Sequence, residues 1–511
     1  MNRWWLAAVA PVLVFLAMGP PGGAAEKNRS AKEAAAEKEE AGKKPAAIEK
    51  AVFPMAEVPA FGKEEVDGRP RYYYPSGGYM MCDTMPRKEV KAYPELKSKR
   101  PLYGSVTFDR DSLDPKGRKT FYFVLDESGV KKPAAAEKET DKGSKRDTEK
   151  KSTKAAAEKT IAAHERAGFD GLRPETWTYD LLYFDCNGDL DLTNDGVVKL
   201  AEKSPLADLP GAMGAGFFEE LQVMLDFGAG LGQRPVVLLP KVHFLGPGSA
   251  MMQFLPKTAR KGKIRLGDEE YVARLCQPQI VSGRYDRPQA QLELIAADAS
   301  KGLRSMQGPL SQMRWVEGQL VSFSATPLGD KLAVDPYHGE TGVLEVGSGG
   351  RAITELGIAG QLTSRTGTTI ALGENVPQAP DGMLRRYPLP IGDYAMSFFT
   401  ARHGRLRFSG RMTPAVGPEA GKRDAYPIRI RKESPFVLEF SGKPEVKFMS
   451  PPKEHSFKPG DNVRVAAMLT EPWQGIQITG LWGTSNNRLD PSIAVRNAAG
   501  DVVSEGKMPF G

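Results

Sequence analysis

The most concentrated set of possible metal ligands in the 511-residue chain is one short acidic segment. Five carboxylates lie within the sixteen residues from Asp180 to Asp195. Ca²⁺ takes about six to eight oxygen ligands, and a loop with Asp or Asn at alternate positions can turn such oxygens inward. The segment therefore predicts a Ca²⁺ site with the ligand residues Asp185, Asn187, Asp189, Asp191, Thr193 and Asp195.

This segment resembles the calcium loops of EF-hand and dockerin-type proteins over residues 185–196. The first, third, fifth, seventh and ninth positions of that pattern are occupied by Asp185, Asn187, Asp189, Asp191 and Thr193. Leu190 departs from the pattern because those loops have Gly there, and Gly196 stands where they have a bidentate Glu. We expect Asp195 to supply the missing carboxylate, and a weak dissociation constant of about 10⁻⁴ to 10⁻³ M.

A plain hairpin is the alternative interpretation of the same residues. Asn187-Gly188 is a strong signal for a two-residue turn, and strand-like residues lie on both sides of it. In that register Asp185 and Asp189 would point to opposite faces of the ribbon, so that one cation could not bind both. The sequence leaves the calcium loop and the acidic hairpin as open alternatives.

Other catalytic and cofactor-binding patterns are absent from the sequence. The histidines are scattered singly, without the spacing of a zinc site: His164, His243, His338, His403 and His455. The glycine-rich stretches match neither a dinucleotide-binding nor a phosphate-binding loop. The run Tyr72-Tyr73-Tyr74 and the pair Trp473 and Trp482 suit either a sugar-stacking platform or a β core, and strand propensity favours the core. We therefore assign no catalytic and no cofactor-binding residue.

The N-terminus has the order of a secretory signal. Arg3 precedes an apolar run from Trp4 to Met18, and small residues lead to Ala25. The run is shorter than the roughly 20 residues that a spanning helix needs. Residues 1–25 are therefore predicted to be a cleaved signal peptide, which gives a secreted or periplasmic protein without a transmembrane span after cleavage.

The net charge of +7 belongs mainly to two low-complexity tracts rich in Ala, Glu and Lys. Residues 131–159 carry a net +4 and residues 26–50 a net +1. The remainder is close to neutral, so nucleic-acid binding is not predicted. Neither tract has an apolar face that could pack on a core, and both are predicted to be disordered.

Short strands separated by turns are indicated along the remaining sequence. The chain contains 54 glycines and 40 prolines, an excess that favours many turns. Leu221, Val223 and Leu225 alternate with polar residues in the period of a strand. The predicted fold class is all-β and multidomain, with several β-sandwich or barrel-like units that are joined by charged low-complexity spacers.

The domain organisation follows from these tracts and from two further resemblances. Residues 389–396 resemble a strand entry of transthyretin-like and carboxypeptidase-regulatory-like sandwiches, and Lys458 to Asp461 with Val463 and Val465 resembles a turn and strand of immunoglobulin-like modules. An immunoglobulin sandwich takes about 100 residues, so the last unit is expected to be truncated. The predicted segments are a signal peptide at 1–25, a spacer at 26–50, a β domain at 51–300 with a disordered insertion at 131–166, a β-rich domain at 301–375, a transthyretin-like sandwich at 376–449 and an immunoglobulin-like unit at 450–511.

The function predicted from these observations is that of an exported, non-catalytic binding or structural protein. Ca²⁺ would stabilise its acidic loop, and an extracellular polysaccharide or a component of the cell envelope is the partner class we expect. The alternative is a secreted or periplasmic hydrolase that acts on a polymer such as polysaccharide, with catalytic carboxylates that are distant in the sequence. Two carboxyl groups about 5 to 9 Å apart below exposed aromatic rings would favour that enzyme.

Overall fold

The protein is built from β-strands in every part that the structure describes. Among the described residues no helix is present and 65% lie in strands, which confirms the all-β prediction. None of these residues forms a helix long and apolar enough to cross a bilayer. The computed structural model describes residues 46–66, 69–73, 78–108, 119–129, 179–202, 215–228, 230–246, 249–277, 282–297, 305–347, 357–372, 385–403, 406–412, 425–439, 445–450, 465–471, 476–483, 487–496 and 499–508.

The strands are short and follow one another throughout the described residues. The first half contains β1 (Ala51–Pro54), β2 (Ala56–Pro59), β3 (Gly62–Val66), β4 (Arg69–Tyr73), β5 (Met80–Met81), β6 (Leu102–Phe108), β7 (Lys119–Asp126), β8 (Leu181–Phe184), β9 (Val197–Lys199), β10 (Ala215–Phe217), β11 (Leu221–Asp226), β12 (Gln233–Gly246), β13 (Ser249–Pro256), β14 (Thr258–Leu266), β15 (Glu269–Cys276) and β16 (Gln291–Ala296). The second half contains β17 (Ser305–Pro309), β18 (Gln312–Val316), β19 (Gln319–Ala325), β20 (Lys331–Pro336), β21 (Thr341–Gly347), β22 (Gly357–Ser364), β23 (Thr369–Leu372), β24 (Arg385–Pro390), β25 (Gly392–His403), β26 (Leu406–Met412), β27 (Ile428–Ile430), β28 (Phe436–Glu439), β29 (Glu445–Ser450), β30 (Ala466–Glu471), β31 (Ile476–Trp482), β32 (Ser492–Arg496) and β33 (Val502–Lys507).

Three large hydrophobic cores lie between pairs of sheets, as in β-sandwiches. The first core joins the sheet β6-β7-β8-β9 to the sheet of β5 and β10 to β13. The second joins the sheet β17-β16-β15-β14-β2 to strands β1 and β18 to β20. The third joins the sheet β24-β21-β28 to strands β18, β19, β22, β23, β25 to β27 and β31 of a 12-stranded sheet. In strands such as β11, apolar side chains at every second position produce the buried face.

Sheet membership in the described residues does not follow the predicted domain boundaries, which stay predictions. Strand β1 pairs with β20, and β18 pairs with β23. The 12-stranded sheet therefore contains strands from both sides of the predicted boundaries at 300 and 375. Packed structure is also present from Ile48, which is 3% exposed and lies within the predicted spacer at 26–50.

Strands β7 and β8, which flank the second charged tract in the sequence, lie side by side in one sheet. They pair antiparallel, with Phe123 opposite Phe184, although 54 residues separate them in the sequence. The two ends of the interruption are joined because Ser128 donates hydrogen bonds from its N–H and hydroxyl to the carboxylate of Asp180. The predicted insertion at 131–166, the predicted signal peptide at 1–25 and most of the predicted spacer lie outside the described residues.

Deletion of residues 131–159 is expected to lower the free energy of unfolding by no more than about 1 kcal/mol, because the strands that flank it are paired directly. Denaturant unfolding of the shortened chain tests this. The matched variant Asp180→Ala removes the two hydrogen bonds from Ser128 and is expected to cost more than the deletion. A larger loss on deletion would show that the tract packs on the folded unit.

Candidate metal site

The acidic loop, residues 185–196, connects β8 to β9 at one end of the first sandwich. Leu181, Leu182 and Tyr183 pair with Lys199, Val198 and Val197, so the connection between the two strands is twelve residues long. The alternative of a two-residue hairpin at Asn187-Gly188 is therefore wrong. Residues 185–190 form no strand pairs with one another, because they fold around the side chain of Asp185 instead.

Asp185 is the centre of this fold and is fully buried, with a relative exposure of 0%. Its Oδ1 accepts hydrogen bonds from the N–H groups of Gly188 at 2.7 Å and Asp189 at 3.1 Å. Its Oδ2 accepts from the N–H of Leu190 at 3.2 Å. Strand β8 positions this carboxylate, because the preceding residue Phe184 is anchored in the aromatic part of the first core. The acidic loop thus turns its main chain towards one buried carboxylate.

Leu190 adopts the left-handed conformation that a glycine takes more easily, with φ of 72°. This is the position at which the sequence departs from the calcium-loop pattern. The conformation is held from outside the loop, because the N–H of Lys91 donates to the Leu190 carbonyl at 2.8 Å and Leu192 donates to Ala92. Leu192, at 0% exposure, anchors the other side of the turn in a small core of its own.

Replacing Leu190 by Gly is expected to raise the free energy of unfolding by about 1 kcal/mol, because it removes the left-handed strain of a branched side chain. Denaturant unfolding without added cation measures the effect. Leu190→Ala is the control, since it shortens the side chain but keeps a Cβ in the strained conformation. Equal effects of the two variants would contradict strain at this position.

The remaining ligand candidates form small local groups near the protein surface. The amide groups of Asn187 and Asn194 donate to Asp189 Oδ2 at 3.0 and 2.8 Å. Both hydrogen bonds lower the pKa of Asp189, and the bond from Asn194 has the larger effect. Asp191 Oδ1 accepts from the N–H and the hydroxyl of Thr193 at 2.9 and 2.6 Å. Neither group contacts the buried carboxylate of Asp185 through its side chains.

Asp195 is half-buried and only one of its carboxyl oxygens has a hydrogen bond. Oδ1 accepts from the N–H of Cys186 at 3.1 Å, while Oδ2 is shielded from solvent and has no partner among the described residues. The pKa of Asp195 is raised to about 6, first by burial and then by the charges of Asp185, Asp189 and Asp191, while the hydrogen bond from the Cys186 N–H lowers it. The acidic loop thus contains one carboxylate oxygen, Asp195 Oδ2, that is shielded from water and has no hydrogen-bond donor among the described residues.

The described residues contain no group of three His, Cys, Asp or Glu side chains close enough to hold a metal ion. The carboxylates of the acidic loop are instead turned towards N–H and amide donors. Their chemistry nevertheless suits Ca²⁺, because Asp and Asn provide hard oxygen ligands, and Asp195 Oδ2 is a buried acceptor that lacks a partner. Asp185, Asp189 and Asp195 are the residues that would hold the ion.

A pH effect follows from the raised pKa of Asp195. An unfolded Asp titrates near 4 and the folded one near 6, so the folded state binds the proton more tightly. The stabilising contribution of the protonated group is complete below about pH 4 and is lost as the pH rises through about 6. In the presence of a chelator, the free energy of unfolding of the original chain is expected to fall between pH 5 and pH 7, and Asp195→Asn is expected to remove this fall. Parallel pH profiles of the two proteins would contradict the assignment.

Two residues of this site could not be identified from the sequence. Lys91 donates from Nζ to the carbonyl of Asp189 at 2.8 Å and from its N–H to Leu190, although it lies about a hundred residues earlier. Asn194, which holds Asp189, stands within the acidic segment but matches no ligand position of the calcium pattern. The apolar Leu192 within the acidic segment is a local signal for the packing of this loop, but it points to neither Lys91 nor Asn194.

Two of the aromatic residues that the sequence offered as sugar platforms have an arginine over the ring, whereas Tyr72 is 37% exposed. Arg274 stacks 3.2 Å from the ring centroid of Tyr73, and Arg407 lies 4.9 Å from that of Trp482. Tyr74 and Trp473 lie outside the described residues.

No family model matches the chain, and neither a curated protein nor a solved structure matches it.

Proposed function

We propose that this chain is an exported, non-catalytic binding or structural protein of the extracellular space or periplasm, in which Ca²⁺ stabilises the acidic loop. Its partner is proposed to be a polysaccharide or another component of the cell envelope. The secretory order of residues 1–25 supports export, and the near-neutral charge outside the low-complexity tracts agrees with a partner other than nucleic acid.

The observation that carries the calcium proposal is the combination of Asp185 and Asp195. Asp185 is buried at the centre of a loop with calcium-loop spacing, and Asp195 Oδ2 is a shielded acceptor without a partner. Burial is the largest cause of the raised pKa of Asp195, and repulsion by the charges of Asp185, Asp189 and Asp191 adds to it. A divalent cation relieves this repulsion, and only the folded loop can gather the oxygens around it.

The test is the response of the acidic loop to millimolar Ca²⁺. With a dissociation constant of about 10⁻³ M, 10 mM Ca²⁺ is expected to stabilise the folded unit by roughly 1.4 kcal/mol. Hydrogen exchange of a peptide that covers residues 185–196 measures this locally and thermal melting measures it globally. Mg²⁺ at the same concentration is expected to have a smaller effect, because it requires a tighter octahedral site.

Asp195→Asn and Asp335→Asn form a matched pair for this test. Both remove one carboxylate, but Asp335 lies in β20 and pairs with Lys50, in a different sandwich. The first variant is expected to lose the Ca²⁺ response and the second to keep it. Unchanged exchange of the acidic loop in Ca²⁺ would refute the calcium proposal, and depolymerisation of a polysaccharide by the purified protein would favour the hydrolase instead.

A further inference from the structure

The outer face of strand β12 carries a group of polar side chains that no part of the proposed calcium site uses. Val242 and Phe244 point into the first core, so Lys241 and His243 lie on the opposite face of the strand. Gln253 of β13 is the cross-strand neighbour of Lys241. We refer to Lys241, His243, Gln253 and the nearby Tyr79 as the Lys241 cluster.

Lys241 is a buried cation, and the described residues place no counter-charge beside it. Its residue exposure is 9%, and its ammonium group lies 5.5 Å from the ring centroid of Phe217. Its main chain belongs to the β12 ladder, but its ammonium group forms no ion pair and no hydrogen bond with another described residue. Two other buried cations of the described residues differ in this respect, because Arg274 pairs with Glu64 and Arg314 donates to main-chain carbonyl groups. A buried charge of this kind is costly unless an anion compensates it.

The neighbours of Lys241 add directional donors and an exposed ring. A ring nitrogen of His243 lies 3.1 Å from Gln253 Oε1, and the Tyr79 ring meets the imidazole edge to face at 5.3 Å between centroids. Tyr79 and Met81 are each 57% exposed. Burial lowers the pKa of Lys241, and burial followed by the Lys241 charge lowers the pKa of His243. A negative charge beside the ammonium group would act against the lowering of both pKa values.

We propose that the Lys241 cluster binds a hexuronate unit of an acidic polysaccharide. The sugar carboxylate pairs with the Lys241 ammonium group, the sugar hydroxyls bond to His243 and Gln253, and the ring lies against the exposed faces of Tyr79 and Met81. A charged anchor, a few polar groups and an apolar wall are the usual composition of a small-ligand site. The inference rests on the proposed function for its ligand class and is independent of the acidic loop.

The experiment is a titration of the full chain, labelled at its methionine methyl groups, with glucuronate. The methyl resonances of Met81 and Met251, which pair across β5 and β13, are expected to shift. Met85, at 68% exposure outside these strands, is expected to stay unchanged. Glucose serves as the neutral probe and acetate as the carboxylate without a ring. Both are expected to bind at least tenfold more weakly than glucuronate.

Substitutions at two lysines test whether the Lys241 ammonium group binds glucuronate. Lys241→Met keeps the length of the buried side chain and is expected to weaken glucuronate binding at least tenfold, while Lys241→Arg retains it. The matched control Lys257→Met removes a cation that already pairs with Glu220 and is expected to bind as the original chain does. Equal affinity of Lys241→Met, or equal affinity for glucuronate and acetate, would overturn the inference.

The outcomes separate this inference from the proposed function. If the protein retains polysaccharide binding after Lys241→Met and glucuronate causes no shift, the site is wrong and the proposed function stands. If glucuronate binds through Lys241 but no polymer is bound, the site stands and the proposed partner class fails.

Discussion

Asp185→Ala is expected to lower the free energy of unfolding by about 3 kcal/mol and to abolish the response to Ca²⁺. The side chain is fully buried and accepts hydrogen bonds from the main chain of Gly188, Asp189 and Leu190. Removing it leaves these buried donors without their charged acceptor, and loss of one partner of a buried charged interaction costs about 3 to 5 kcal/mol. Denaturant unfolding with and without Ca²⁺ measures both effects.

Asp191→Ala is the control for this variant, since Asp191 lies in the same loop but, among the described residues, its side chain accepts hydrogen bonds from Thr193 alone. This substitution is expected to lower the free energy of unfolding by about 1 kcal/mol or less, because water can replace these exposed hydrogen bonds. If both variants were equally destabilised, Asp185 would not be the centre of the loop.

Phe184→Ala is expected to lower the free energy of unfolding by about 4 kcal/mol, the range for a large aromatic side chain removed from a core. Phe184 is fully buried and contacts the rings of Phe121, Phe123 and Phe254 from both sheets of the first sandwich. The same variant is expected to weaken the Ca²⁺ response, because Phe184 fixes the start of the acidic loop.

Phe448→Ala provides the comparison at the surface. Phe448 lies in β29 and is 64% exposed, so its removal is expected to change the free energy of unfolding by less than about 0.5 kcal/mol. A comparable loss for both phenylalanines would contradict the position of the first core. Both variants are measured by denaturant unfolding under the same conditions.

Local patterns in the sequence predicted the strands and the acidic loop because their physical causes are local. The alternation from Leu221 to Leu225 appears in β11 with the expected buried and exposed positions. The pairing of β7 with β8 was predictable because strand-like residues flank a tract that cannot pack. Calcium-loop spacing was readable for the same reason, since its ligands are close in the sequence.

Contacts between distant residues decided what the sequence did not predict. Leu190 was read as a departure from the calcium pattern, yet it takes the left-handed conformation with Lys91 bonded to its carbonyl. His243 was one of five scattered histidines, and its neighbours Gln253 and Tyr79 become visible only when β12 and β13 pair. Local sequence patterns likewise gave no indication that one sheet contains strands from several predicted domains.

The pairing of β1 with β20 has a consequence for the order in which the chain folds. Ala51 is opposite Val334, a partner that the ribosome synthesises about 280 residues later. The second sandwich therefore cannot close until residue 336 has emerged, whereas all strands of the first sandwich are complete at Pro256. Contacts of such long sequence separation form slowly. Residues 51–54 consequently have no β20 partner during this part of synthesis and stay available to a chaperone that binds unfolded chains.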